Sequence, residues 1–289
     1  MGTNVMFRLG AIVVSLLLPL AGLVAGPAHA VGFERGPAPT ASGLLGTGAF
    51  SVSSTSVSSL SASGFGGGRI YYPSSTAEGT YGGVILAPGF TASASMYSSL
   101  ARRVASHGFV VFAIDTNSRF DQPSSRGRQI LSAVTHLTTR APSAVAARLD
   151  ETRVAVSGHS MGGGGTLYAA ENGPSIIKAA VALQPWNTDK TWGGVDVPTM
   201  IIGAELDTIA PVATHSIPFY TSMFSAPEKA YGEINNADHL IANTDDDWQG
   251  RLMVSWLKRY LDEDQRYAPF LCPGPSSFNL SDYRDTCPS

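Results

Sequence analysis

The chain has 289 residues, of which 44% are hydrophobic and 14% charged, with a formal net charge of -3. That length and apolar content fit one domain with a large core and exclude a disordered chain. The mixed, slightly acidic charge carries no Lys/Arg stripe, so no nucleic-acid partner is expected.

Residues 1–30 read as a signal peptide. Arg8 supplies a weakly charged start, residues 9–24 are almost wholly apolar, and Ala28-His29-Ala30 offers small residues where a signal peptidase reads. The apolar run is short for a membrane span and Pro19 interrupts it. Cleavage after Ala30, a secreted extracellular product and no membrane anchor are therefore expected, leaving residues 31–289 as a single domain. The chain has two cysteines, Cys272 and Cys287. In an oxidising compartment they are expected to form a disulfide, contributing about 3 kcal/mol in the chain-entropy account. Two thiols without a nearby histidine make no zinc site, so no metal is expected there.

Residues 31–47, rich in Pro and Gly, read as an arm over the surface. The Ser-rich stretch 50–60 spaces Val52, Val57 and Leu60 as a solvated linker would not need to. With Arg69-Ile70-Tyr71-Tyr72 it predicts an antiparallel strand pair joined through residues 64–68. Strands then alternate with helices. Residues 83–86, 109–114, 154–157, 179–183, 199–203 and 229–234 read as strands, the last of these closing the sheet. Residues 96–106, those following Pro123, and 251–261 read as helices with one apolar face each. Such alternation predicts an α/β fold with a mainly parallel twisted sheet and helices on both faces. Functional groups should then collect at the carboxyl ends of the strands.

Gly158-His159-Ser160-Met161-Gly162 joins a strand to a helix-compatible segment. This is the Gly-x-Ser-x-Gly elbow, whose small flanking residues let a strained turn present the serine hydroxyl. A serine is a poor nucleophile at neutral pH, so it needs a base, and the base needs orienting. Among six histidines, His29 falls in the signal peptide, His107 reads as a helix C-terminal cap partner and His136 lies within a helix. His159 is expected beside the site, and His215 reads as structural. His239 follows the last predicted strand and an aspartate-bearing loop, giving the Ser…Asp…His order of this topology. Asp207, just after a strand, is preferred to Asp238 as its orienting acid, because loop neighbours point apart. The tetrahedral intermediate needs two donors, expected from the backbone N–H of Met161 and of Phe90. Phe90, Trp186, Ile209 and Leu240 have a plain core-packing alternative. Trp186, however, sits between a strand end and a polar turn, where exposure would suit an apolar or aromatic substrate.

The segments Glu34-Arg35-Gly36-Pro37, Ala87-Pro88-Gly89-Phe90-Thr91, Ser106-His107-Gly108-Phe109 and Thr116-Asn117-Ser118-Arg119-Phe120-Asp121 resemble the actinobacterial cutinases. So do residues 158–166, Pro185-Trp186, Asp189-Lys190-Thr191, residues 207–212 and residues 264–275. This resemblance covers essentially the whole chain after residue 30. It implies an α/β-hydrolase without a lid and a shallow groove for polyester bonds, polyethylene terephthalate included. Phe90 stands where that family usually has tyrosine, opposite Trp186, with Met161, Ile209 and Leu240 at the remaining substrate positions. Leu240 replaces a usual phenylalanine, and Asp238 a small residue, adding negative charge beside His239. Some of those relatives bind calcium. The matching positions here are Glu205, Asn235 and Ser281, one carboxylate in all, so weak or absent calcium binding is expected. Asp245-Asp246-Asp247 is a rival ion site that more often caps a helix.

The expectation is therefore a monomeric, cofactor-free serine esterase acting on an insoluble polyester such as cutin. A lipase or short-chain carboxylesterase is the alternative enzyme, and a catalytically silent polymer-binding protein the alternative of another class.

Overall fold

Where β-branched runs alternate with amphipathic stretches, the computed structural model has nine strands and six α-helices among the described residues, which are 1–3 and 33–287. The expected signal peptide, beyond its first three residues, lies outside them. The chain divides into two units, Met1–Ala30 and Val31–Ser289, and every element belongs to the second.

In chain order the elements begin β1 (Val52–Val57), β2 (Gly68–Pro73), β3 (Tyr81–Ala87), α1 (Ser98–Ser106), β4 (Val110–Ile114), α2 (Pro123–Arg140) and α3 (Ser143–Ala146). They continue as β5 (Leu149–His159), α4 (Met161–Asn172), β6 (Ile177–Leu183), β7 (Thr199–Ala204), α5 (Ser216–Ser222), β8 (Lys229–Ile234), α6 (Asp247–Tyr260) and β9 (Leu280–Asp285). One sheet holds all nine strands in the order β1-β2-β4-β3-β5-β6-β7-β8-β9. Strands β4, β3, β5, β6, β7 and β8 run parallel, and β1, β2 and β9 add antiparallel pairings at the two edges.

The inner strands are apolar throughout because both faces are covered. Val84 and Leu86 of β3 pack in the layer that holds Leu100 and Val104 of α1 and Leu252 and Trp256 of α6. Their neighbours Ile85 and Ala87 point the other way, toward Ile130 and Leu137 of α2 and Leu167 of α4. The period-two alternation of side chains produces the two layers, and cutting Leu100 back to alanine would cost about 2–5 kcal/mol. With both faces buried, the polar loops at the strand ends are left free for a site.

Several expectations need correction. Strand β8 is not the last, since β9 pairs with it antiparallel, Gly232 opposite Tyr283. Its sequence LSDYRD carries three charges, as an edge strand can, so no apolar run announced it. Helix α5 was also unmarked, since Pro218 lies inside its seven residues. The arm does more than lie on the surface. Phe33 N–H donates to Asp262 O at 2.7 Å, and Leu44 is buried in the α1/α6 layer. Leu60 packs against nothing and is fully exposed. His107 is the C-cap residue of α1, as expected, its backbone N–H donating to Val104 O at 3.1 Å, and its ring in addition bonds Gly46 O of the arm at 3.0 Å.

The disulfide Cys272–Cys287 is formed, with Cα atoms 5.7 Å apart. The aspartate run divides its work. Asp246 caps α6 by accepting from Trp248 N–H and Gln249 N–H at 3.0 and 2.8 Å, while Asp245 and Asp247 pair with Arg103 at 3.1 and 3.5 Å.

Candidate active site

Ser160 stands between β5 and α4 with φ 55° and ψ -120°, a strained region for a residue with a side chain. The glycines around it are steric necessities. A Cβ on Gly158 would lie 2.5 Å from Gly162 O, and one on Gly162 would lie 2.5 Å from both Ala87 O and Pro88 O. The strain therefore persists because strand β3 presses against the elbow from one side and α4 continues from the other.

Asp207 follows β7 and His239 follows β8, so the parallel order brings three strand ends to one edge of the sheet. His239 Nε2 lies 2.8 Å from Ser160 Oγ, and His239 Nδ1 lies 2.7 Å from Asp207 Oδ2. The second carboxylate oxygen accepts from the N–H groups of Ile209 and Ala210 at 2.9 and 2.7 Å. Burial alone would raise the Asp207 carboxyl. The hydrogen bonds from His239 and the Ala210 N–H outweigh it and hold Asp207 below the usual carboxylate range, hence ionised. An ionised acceptor on Nδ1 keeps the imidazole proton there and turns the Nε2 lone pair toward the serine hydroxyl. Such an arrangement can take a proton from Ser160 and return it to a leaving group.

Asp238 takes no part in this chain of bonds. It is exposed, and its carboxylate accepts from Leu240 N–H at 2.8 Å. Met161 opens α4 directly after Ser160, so its N–H has no carbonyl within its own helix. Phe90 follows Gly89, a Cβ on which would lie 3.1 Å from Ser160 Cβ, so that loop abuts Ser160.

Apolar side chains surround the serine. Phe90 is 45% exposed, Ile209 55% and Leu240 53%, far too open for the core-packing alternative. Trp186 is half-buried, its N–H donates to Ser160 O at 2.8 Å, and its ring stacks on His215 at 6.0 Å. His215 is thus the floor under the tryptophan, a contact its sequence neighbours gave no hint of. Phe120, exposed in the loop after β4, meets Phe90 edge-to-face at 5.6 Å. Its place after a parallel strand was the signal that could have added it to the site.

Glu205, Asn235 and Ser281, the positions raised as a calcium site, are each hydrogen-bonded within the protein. Glu205 Oε2 accepts from Asn236 N–H at 2.8 Å, the Asn235 amide donates to Phe278 O, and the Ser281 hydroxyl donates to Glu233. That set of three holds one carboxylate, which a backbone donor already engages.

Residues 27–288 match the family described as PET hydrolase-like. The chain belongs to that family. It is 54% identical to a bis(hydroxyethyl) terephthalate hydrolase of Streptomyces coelicolor, over 89% of this chain and 82% of the relative. It is 53% identical to cutinase est1 of Thermobifida alba, over 91% and 90% of the two chains. A cutinase of Thermobifida fusca is 52% identical over 92% and 89%. Family members of this similarity share the α/β-hydrolase fold, which agrees with the strand order and with the serine, aspartate and histidine after β5, β7 and β8.

Proposed function

We propose that this chain hydrolyses the ester bonds of polyesters, cutin and polyethylene terephthalate among them, through an acyl-enzyme on Ser160. The unbroken line Asp207–His239–Ser160, at 2.7 and 2.8 Å, carries the reading. His239 takes the hydroxyl proton as Ser160 Oγ attacks the ester carbonyl. Phe90 N–H and Met161 N–H receive the developing oxyanion, and the proton passes to the departing alcohol. Water then enters, loses a proton to His239 and releases the acid, returning Ser160. Asp207 stays ionised throughout and stabilises the imidazolium. No metal or cofactor is needed to balance these steps.

The exposed Phe90, Ile209 and Leu240, with the half-buried Trp186 and Met161, suit an aryl or aliphatic repeat lying across the serine. Export and removal of residues 1–30 would deliver a monomeric enzyme to an insoluble substrate. The disulfide accords with that, and no helix among the described residues is long and apolar enough to cross a membrane.

Ser160→Ala tests the chemistry. It should lower turnover of a short-chain chromogenic ester by about 10⁴-fold or more with the circular dichroism spectrum retained. Undiminished turnover would sink the assignment. Soluble products released from polyester film, cutin and emulsified long-chain triglyceride, measured side by side, test the substrate. Strong preference for triglyceride would make it a lipase.

A further inference from the structure

Two buried side chains next to the triad have bonds that hydrolysis itself does not call for. Tyr97, at the end of the 3-10 turn Ala94–Tyr97 before α1, is 1% exposed, and His159, at the end of β5, is 3% exposed. The Tyr97 oxygen lies 2.8 Å from His159 Nδ1 and accepts the Gly89 N–H at 3.0 Å. His159 Nε2 lies 2.7 Å from the backbone oxygen of His239.

Proton counting leaves one arrangement. The His239 carbonyl can only accept, so Nε2 must carry a proton. The tyrosine hydroxyl has one proton, and Gly89 N–H is a donor, so the hydroxyl proton goes to Nδ1, which must then be bare. The reversed tautomer would set the Nε2 lone pair against the carbonyl and leave the hydroxyl proton without an acceptor, a costly outcome at a buried site. Burial and the nearby His239 push the His159 imidazole down to about 3, which agrees with one neutral form at working pH.

We propose that Tyr97 and His159 form a positioning relay that ties the loop carrying the Phe90 oxyanion donor to the loop carrying His239, through the residue before Ser160. The relay rests on the proposed chemistry of Ser160. Gly89 N–H is held by the tyrosine one residue before Phe90, and the His239 backbone is held by the imidazole. The His159 backbone continues directly into the nucleophile. Base, oxyanion donor and nucleophile thus share one chain of bonds, Gly89–Tyr97–His159–His239. Neither side chain touches the reacting atoms, so both are positioning residues. A displacement near 1 Å at such a site can cost about 100-fold in rate.

Tyr97→Phe, His159→Phe and His159→Gln test the relay. Phenylalanine at 97 removes only the hydroxyl. Phenylalanine at 159 keeps a ring and loses both nitrogens, whereas glutamine restores a donor near the Nε2 position. The expected result on a soluble short-chain ester is a fall in kcat of about tenfold for each phenylalanine variant, with KM within about twofold. His159→Gln should recover part of the loss. A folded Tyr97→Phe or His159→Phe with kcat at the parental level overturns the relay, as does a loss confined to KM or no recovery with glutamine. Either phenylalanine variant suffices if the other does not fold. Ser160→Ala run alongside separates the two ideas. If it still turns over, the triad is wrong, whereas if it is inactive and the phenylalanine variants are parental, only the relay is wrong.

Discussion

Strand β5 carries a buried polar cluster at each end, and the two are built to opposite purposes. Near its start, Arg153 pairs with Asp150 at 2.8 Å and with Asp262, which Lys258 also meets at 2.8 Å. Lys258 and Asp262 are fully buried, and the Phe33 ring lies 3.9 Å over the guanidinium. Just past the other end of the strand, Asp207 pairs with His239, and His239 with Ser160. Both clusters obey the rule that buried charge needs partners. The first is made of arginine, lysine and carboxylates paired with one another, so it acts as a latch between arm, strand and the end of α6. The second ends in an imidazole and a hydroxyl, between which a proton can move. Partner chemistry, more than burial, separates a fastening from an active site.

Mutation should break this contrast most sharply at the acid of each cluster. Asp207→Asn is expected to lower kcat on a soluble ester by about 10⁴-fold, because the amide no longer holds the Nδ1–H tautomer. Thermal melting should fall less than for Asp262→Asn, and a kcat within tenfold of the parent would refute the assigned role. Asp262→Asn should do the reverse. It leaves Arg153 and Lys258 buried with less compensating charge and is expected to cost about 3–5 kcal/mol in urea unfolding. Activity per folded molecule should be kept, and a specific loss of kcat would blur the comparison.

Acid should act more gradually. Burial pushes the His107 imidazole down to about 4, and burial with the nearby His239 pushes His159 to about 3, so both stay neutral in the native chain. Below the ordinary histidine value of about 6.5 the unfolded chain binds these protons and the folded chain does not, so stability falls as pH falls. Asp207 has the same sign, since its depressed value means the unfolded chain is protonated first. The melting temperature should be flat above pH 7 and decline from about pH 6.5 toward pH 4. His107→Gln should shallow that decline by on the order of 3 kcal/mol. An unchanged slope in scanning calorimetry would show that His107 is not a source.

Much of the site could be read along the chain. A glycine-flanked serine between strand and helix, an aspartate just after a later strand and a histidine after the next are local patterns. Each strand–loop junction needs particular residue types whatever surrounds it. Asp207 could be preferred over Asp238 on the same footing, and it is Asp207 that bonds His239, while the exposed Asp238 accepts from Leu240 N–H. Tyr97 was different. At helical spacing with Leu100 and Val104 it reads as one more core residue, and only the folded loops reveal its hydroxyl between Gly89 and His159. His215 beneath Trp186 and Phe120 against Phe90 were hidden in the same way. Helix α5, with its internal proline, and β9, with its charges, ran against local propensity; α5 forms where it packs against β7 and β8, and β9 where the edge of β8 receives it.

The sequence by itself determined the alternation of strands and helices, the elbow and the order of its partners, because steric demands at a turn and the period of apolar residues act over a few neighbours. Only the tertiary structure decided the placing of β4 between β2 and β3, the docking of the arm onto α6, and the seating of the His159 ring between the Tyr97 hydroxyl and the His239 carbonyl. Those depend on which distant groups meet once the chain is closed, and a buried hydrogen bond has no meaning until both its ends are in place.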